Sequence, residues 1–197
     1  MSGRKNWTIK SSRQVYDNPW ISVDHHDVIA PTGNPGIYGK VHFKNLAIGV
    51  LPIDEQGHTW LVGQNRFCFD SWSWELPEGG GDPKGDPMDA AQRELAEETG
   101  LKAAEYLPLF QDVHLSNSVT DERAFAYIAT GLSSCKDHTP DETEQLETMR
   151  LPLENVFSMI ENGEITDMFT LAMFWRAHHL AVTGRLPDGI AHHFRSR

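Results

Sequence analysis

Up to about Asn45 the apolar residues come in short runs separated by turn chemistry. Trp7 to Lys10, Val15-Tyr16 and Trp20 to Ile29 carry the β-branched and aromatic residues that strands prefer. Asp17-Asn18-Pro19 and the stretch from Pro31 to Gly36 carry turn residues. Tyr38 to Phe43 alternates as a further strand. Leu46 to Ile53 is a near-continuous apolar run with small residues, which predicts a strand covered on both faces. Asp54-Glu55-Gln56-Gly57 reads as a turn and Thr59 to Phe67 as the next strand, so the two strands are expected to pair as a hairpin. Trp72 to Leu76 predicts a short strand, and Pro77 to Gly85 a loop dense in turn residues.

From Asp86 the period changes to that of a helix, running to Glu98. Asp86 suits the N-cap, Pro87 the first helical position and Gly100 the stop. Met88, Ala91 and Leu95 fall at i, i+3 and i+7, a buried stripe. Glu105 to His114 and Glu122 to Ala129 read as a second pair of strands, and Ser133 to Glu147 as a polar, acidic, mobile loop. Helices are expected at Leu153 to Asn162 and Asp167 to Thr183, the last with an apolar stripe of Met168, Leu171, Ala172, Trp175 and Val182. Strands with three helices and no regular βαβ alternation predict an α+β fold, a mixed sheet with helices on its faces.

Composition narrows the function classes. The chain has 197 residues, 39% of them apolar, and a net charge of −11. An acidic chain is a poor partner for a nucleic-acid backbone, which needs a basic patch. It can still bind phosphates through divalent ions held between its carboxylates and the ligand. No apolar run approaches the ~18 residues that span a bilayer, and Met1 to Trp7 lacks a signal core. Two cysteines make no disulfide framework. No nucleic-acid partner, no membrane and a cytoplasmic location are therefore expected. The adjacent pairs His25-His26, His178-His179 and His192-His193 do not share a helix face, so they read as surface residues rather than metal ligands.

The helix end carries the candidate chemistry. Glu94 and Glu98 project from one face and Glu97 lies beside them. Carboxylate oxygens are the ligands Mg²⁺ prefers, and Arg93 could hold one rotamer by pairing. An isolated run of this kind is an ordinary solvated face; here a strand and a glycine-rich loop deliver it. Gly79 to Leu101 resembles the Nudix box, G-x5-E-x7-R-E-U-x-E-E-x-G-U with U apolar. Gly79, Arg93, Glu94, Leu95, Glu97, Glu98, Gly100 and Leu101 match it. Gly85 stands where the box has its first glutamate, and the following Asp86 either substitutes for that acid or caps the helix.

The resemblance reaches from about Trp7 to Val182. Leu61 to Phe67, Trp74 to Gly79, and Asp141 to Glu147 with Leu151-Pro152-Leu153 are similar to the branch that hydrolyses ADP-ribose and other nucleoside diphosphate sugars. It implies a Nudix-like α/β/α sandwich at 46–185, an N-terminal strand segment at 1–45 that builds a homodimer, and a tail at 186–197. It also implies site roles. Glu94, Glu98, Glu97, Glu144 and the backbone carbonyl of Glu78 would hold Mg²⁺, with Mn²⁺ as a substitute. Glu142 would be the mobile general base, with Glu97 assisting. Arg66 would contact the phosphates and Trp20 of a second subunit would stack on the base, while Arg93 and Gly79 support the site. The expected activity is Mg²⁺-dependent cleavage of the diphosphate of a nucleoside diphosphate sugar. Its rival is a Nudix module that senses such a compound without cleaving it.

Overall fold

The computed structural model describes residues 6–135 and 146–195. The N-terminal segment forms β1 (Thr8–Asp17), β2 (Ile21–Ile29) and β3 (Pro35–Phe43), an antiparallel sheet in that order. β1 is one long strand rather than the two short ones expected. Its polar middle does not break it because those side chains bond across to β2: Ser11 Oγ donates to Asp27 at 2.5 Å and Ser12 Oγ lies 2.7 Å from His26 Nδ1. β3 begins at Pro35, inside the expected turn. Ala30 N–H to Asn34 O and Gly33 N–H to Ala30 O close the reversal within residues 30–34, and Gly33 supplies its positive φ of 94°.

The rest of the chain contributes β4 (Leu46–Pro52), β5 (His58–Arg66), β6 (Ser71–Glu75), β7 (Glu78–Gly81), α1 (Pro87–Thr99), β8 (Leu101–Lys102), β9 (Glu105–His114) and β10 (Arg123–Thr130). It continues with β11 (Ser133–Ser134), β12 (Glu147–Pro152), α2 (Leu153–Glu161), α3 (Met168–Val182) and α4 (Asp188–Arg195). A mixed four-stranded sheet has the order β7-β4-β10-β9, with β4 and β10 parallel. A second sheet, β12-β5-β6, is antiparallel.

β4 is covered on both faces, as its apolar run predicts. Leu46, Ile48 and Val50 pack with Ala91 and Leu95 of α1. Leu51 and Ile53 belong to the larger core shared with α2, α3 and α4. Between these layers Gly49 leaves room for α3, since a Cβ there would lie 2.7 Å from Met173 Sδ and 2.9 Å from Phe169 Cε1. The result is an α/β/α arrangement with α1 on one face of the mixed sheet and α3 on the other. Among the described residues no helix is long and apolar enough to cross a membrane.

Several expectations fail for identifiable reasons. β4 and β5 do not pair with each other; β4 lies between β7 and β10, and β5 between β12 and β6. Adjacent runs joined by a tight turn favour a hairpin, but here they separate into different sheets. The stretch from Glu78 to Gly81 is a strand on β4, not loop, because glycines can lie flat where α1 crosses the sheet. The face of α3 is also different. Phe169, Met173, Phe174, Ala177, Leu180 and Ala181 are buried, whereas Met168, Trp175 and Val182 are exposed. That helix is apolar nearly all round, so periodicity allows two registers and contact with β4 selects one. β12 begins at Glu147, where the expected loop ends, and the tail carries α4, buried through Ile190, Ala191 and Phe194.

The N-terminal sheet is tied to the body at the β9–β10 connection. Val41 N–H donates to Val119 O at 2.9 Å. Asp121 accepts from Phe43 N–H at 3.1 Å and Lys40 Nζ at 3.2 Å, and lies 2.8 Å from His42 Nδ1.

Candidate active site

The site grows from the way α1 starts and where it lands. Asp86 Oδ1 accepts from Met88 N–H at 2.9 Å, so the acid next to Gly85 is the N-cap of the helix. Gly100 ends α1 in the left-handed region with φ 67°, its N–H donating to Ala96 O. Ala91 and Leu95 are buried under β4. That docking turns the Glu94 and Glu98 side of the helix onto the backbone of β7.

Gly79 makes the close approach feasible. A Cβ at that position would fall inside the Glu94 carboxylate, so only glycine lets this acid lie against the strand. Glu94 is consequently just 7% exposed. Glu98 Oε2 accepts from Glu78 N–H at 3.0 Å. Arg93 binds the group together: Nη2 donates to Glu94 Oε1 at 2.5 Å and Gly80 O at 2.6 Å, and Nη1 to Glu97 Oε2 at 2.5 Å. Partial burial disfavours the Arg93 charge, but the Glu94 and Glu97 carboxylates outweigh it and hold the guanidinium more firmly protonated than usual.

The structure therefore gathers Glu94, Glu97, Glu98, Arg93, Gly79 and the Glu78 backbone at one place. Their oxygens are hard donors suited to Mg²⁺ or Mn²⁺. As the side chains lie, Arg93 bridges two of the acids, and among the described residues no three acidic, histidine or cysteine side chains converge as a metal site. Glu142 and Glu144 lie outside the described residues. Trp20 sits in the β1–β2 turn of the N-terminal sheet, 65% exposed and on a different sheet from the acidic helix.

Arg66 has a partner that the sequence does not name. Its Nε donates to both Glu75 oxygens, at 2.9 and 3.1 Å, and Nη2 also pairs with Glu75. The guanidinium is thus paired with a buried carboxylate while its side chain stays 41% exposed, and that pairing raises its pKa above the usual arginine value. The side chain of Glu78 has a role of its own, distinct from its carbonyl. Oε1 accepts from Thr170 Oγ1 at 2.7 Å, and the same hydroxyl accepts from Leu76 N–H at 2.9 Å. Burial, then the Asp167 charge, push this carboxyl well above its ordinary value, so it favours the neutral form. Nothing in the sequence marks Glu75, Asp167 or Thr170 as neighbours of Arg66 and Glu78. Thr170 lies 94 residues from Leu76, and only the docking of α3 joins them. Arg66 and Glu75 could be paired only once β5 and β6 are known to be in register, with Arg66 opposite Ser71.

An acidic helix end clasped against a glycine strand, inside an α/β/α body, defines a class of hydrolase fold. Residues 43–168 match the family described as NUDIX domain, and the chain belongs to it: it is a Nudix hydrolase. Residues 7–41 match the family described as nucleoside diphosphate sugar hydrolase N-terminal domain. The chain is 31% identical over 157 residues to a CMP-5'-(N-acetyl-N-hydroxy-3-aminopropyl)phosphonate hydrolase of Streptomyces rubellomurinus, covering 80% of this chain and 75% of that one. It is 28% identical over 161 residues to the ADP-ribose pyrophosphatase of Bacillus subtilis, covering 81% and 86%. With the ADP-ribose pyrophosphatase of Mycobacterium tuberculosis the identity is 31%, over 67% and 64% of the two chains. Among solved structures, an ADP compounds hydrolase superposes with a TM-score of 0.82 at 21% identity, covering 94% of this chain and 100% of the other.

Proposed function

We propose that this chain hydrolyses the diphosphate of nucleoside diphosphate sugars, ADP-ribose foremost, to a nucleoside monophosphate and a sugar phosphate. The observation that carries the reading is the clasp of Glu94 and Glu98 on the β7 backbone, which Gly79 permits. The two ADP-ribose pyrophosphatases among the relatives support the substrate class. The Streptomyces relative is named for a CMP-linked phosphonate, so the relatives share a nucleotide joined through phosphorus rather than one base.

Glu94, Glu97, Glu98, Glu144 and the Glu78 carbonyl would hold Mg²⁺, which supplies charge neutralisation on the diphosphate and a more acidic water. The chain's own residues do the rest. Glu78 N–H orients Glu98, and Arg93 orients Glu94 and Glu97. Glu142 takes the proton of the attacking water. Arg66, held by its pair with Glu75, contacts the substrate's phosphates.

The N-terminal sheet would join a second copy, which would bring Trp20 to the base. Its Trp7, Ile9, Val15, Tyr16 and Ile37 are exposed to water and support that role. Sedimentation of the full chain over a concentration series tests it; a monomer throughout would remove the dimer and Trp20 from the reading.

The activity test is release of AMP and ribose 5-phosphate from ADP-ribose with Mg²⁺, and its loss on chelation. Glu98→Gln and Glu97→Gln should each lower turnover by roughly 10²–10³-fold, the usual cost of removing one group that stabilises transition-state charge. Undiminished turnover in both variants would overturn the helix site. Binding of ADP-ribose without turnover would overturn the catalytic reading as a whole.

A further inference from the structure

Leu76 and Pro77 carry the chain from β6 into β7. Pro77 has no N–H, so the amides at this junction are those of Leu76 and Glu78, and each goes to a different helix. Glu78 N–H donates to Glu98 Oε2 of α1 at 3.0 Å. Leu76 N–H donates to Thr170 Oγ1 of α3 at 2.9 Å. The same hydroxyl gives its own proton to Glu78 Oε1 at 2.7 Å, because an amide N–H can only donate. One threonine thus grips the chain on both sides of Pro77. Thr170 is itself fixed: it is fully buried, and its N–H donates to Asp167 Oδ2, the cap of α3, at 2.6 Å.

The alternation of β7 carries this grip to the acids. Pro77 O accepts from Val50 N–H at 2.9 Å, so that residue turns its backbone to β4. The next residue turns to the outer edge of the sheet. Glu78 N–H meets Glu98 there, and Gly80 O, two residues on, meets Arg93 Nη2 at 2.6 Å. The N–H and C=O of one residue share an edge in such a strand, so the Glu78 carbonyl is directed to the same side as its amide. Side chains alternate between faces. Gly79 lies against Glu94 on the α1 face, which sends the Glu78 side chain to α3. A rotation of residues 76–78 would therefore displace two groups together: the amide that orients Glu98, and the carbonyl placed above among the Mg²⁺ ligands.

We propose that Thr170 is a positioning residue for the metal site, acting from the opposite face of the sheet by fixing the backbone of Glu78. The proposal deepens the hydrolase reading and rests on it for the metal. A hydroxyl that only filled the core would change melting and leave metal affinity as it was.

The experiment compares the full chain with Thr170→Val, Thr170→Ser and Val156→Ala, the last a cavity in the core at α2. Mn²⁺ binding without substrate is read by calorimetry and by its electron-spin resonance signal. Thr170→Val should raise the Mn²⁺ dissociation constant by roughly 10- to 100-fold, the usual cost of losing a group that orients a metal ligand. With ADP-ribose at saturating metal, kcat should fall while KM stays within about threefold, the sign of a contact that matters in the transition state. Thr170→Ser keeps the hydroxyl and should restore both values to within about threefold of the parent. Val156→Ala should melt lower with Mn²⁺ affinity unchanged. Thr170→Ala leaves room for a water at the Leu76 amide and serves if the valine variant does not fold. Such a water ties neither group to α3, so the same loss of affinity is expected. If Thr170→Val weakens Mn²⁺ binding and Thr170→Ser does not, in a chain that hydrolyses no nucleoside diphosphate sugar, the positioning role stands and the hydrolase reading falls. A valine or alanine variant that melts lower yet binds Mn²⁺ like the parent would overturn the proposal. So would an equal loss of affinity in Val156→Ala, or a parent that binds no Mn²⁺.

Discussion

All ten residues of β1 are exposed, whereas six of the seven residues of β4 are buried. Both strands come from runs with strand propensity, and both pair along their length. The difference lies in what covers them. β4 has α1 on one face and α3 on the other, so nearly all of its side chains are taken from water, at about 25 cal/mol per Å² of apolar surface. β1 has only hydrogen bonds to β2 and a polar ladder of Ser11-Asp27 and Ser12-His26, exposed contacts of low individual worth. Strand pairing alone therefore defines geometry in this chain, while burial supplies stability. The acidic side chains of α1 lie against the buried sheet, and exposed aromatic residues stand on the other.

The sharpest way to break that contrast is a matched pair of truncations. Leu95→Ala opens a cavity between α1 and β4 and should cost about 2–5 kcal/mol. It should also lower hydrolysis, because Glu94 and Glu98 ride on the same helix. Ile9→Ala, on β1, should change unfolding of the monomer by less than about 0.5 kcal/mol. Urea denaturation at low protein concentration checks both; equal losses would erase the distinction.

A second pair adds atoms instead of removing them. Gly49→Ala places a Cβ against Met173 and Phe169 and should destabilise by about 1–3 kcal/mol, the range for overpacking. Gly39→Ala, on β3, meets nothing within 4 Å and should be neutral or slightly stabilising. Thermal melts of the two variants would sharpen the comparison, and a neutral Gly49→Ala would show that α3 is looser on β4 than its contacts indicate.

The smallest effect concerns the tie between the two regions. Burial opposes ionisation of Asp121, but bonds from His42, Phe43 N–H and Lys40 outweigh it and hold the carboxylate below its ordinary value. A depressed folded-state value gives stability that is present above the unfolded value, near pH 4, and lost as pH falls through the folded one. The group is more than a third exposed, so the contribution should not exceed about 1 kcal/mol. Protection against hydrogen exchange at the Val41 and Phe43 amides, relative to the intrinsic rate at each pH, should fall below pH 4, and Asp121→Asn should show that lower protection already at neutral pH. Protection independent of pH and of the substitution would place the tie elsewhere.

Much of this arrangement was legible before any coordinates. The α1 boundaries followed from Asp86, Pro87 and Gly100, because capping is local chemistry. The shared face of Glu94 and Glu98 followed from helical spacing alone. Strand pairing was less legible. Leu46 to Ile53 and Thr59 to Phe67 looked like a hairpin, yet their true partners come from 78–81, 123–130, 71–75 and 147–152, and nothing in either run names a distant neighbour. The α3 face is not legible in the sequence because a helix apolar on most sides has no preferred stripe until a neighbour presents a gap, here the bare backbone of Gly49.

By itself, then, the sequence determined the local elements whose causes lie within a few residues: the capped acidic helix, the doubly covered strand, and the spacing of glutamates that marks a Nudix hydrolase. Tertiary structure decided what those glutamates face. Gly79 admits Glu94 to the strand, Glu75 claims Arg66, and Thr170 turns the Glu78 carboxyl toward α3. Each of these joins groups on different elements, and such contacts depend on how elements dock, which local propensity does not encode.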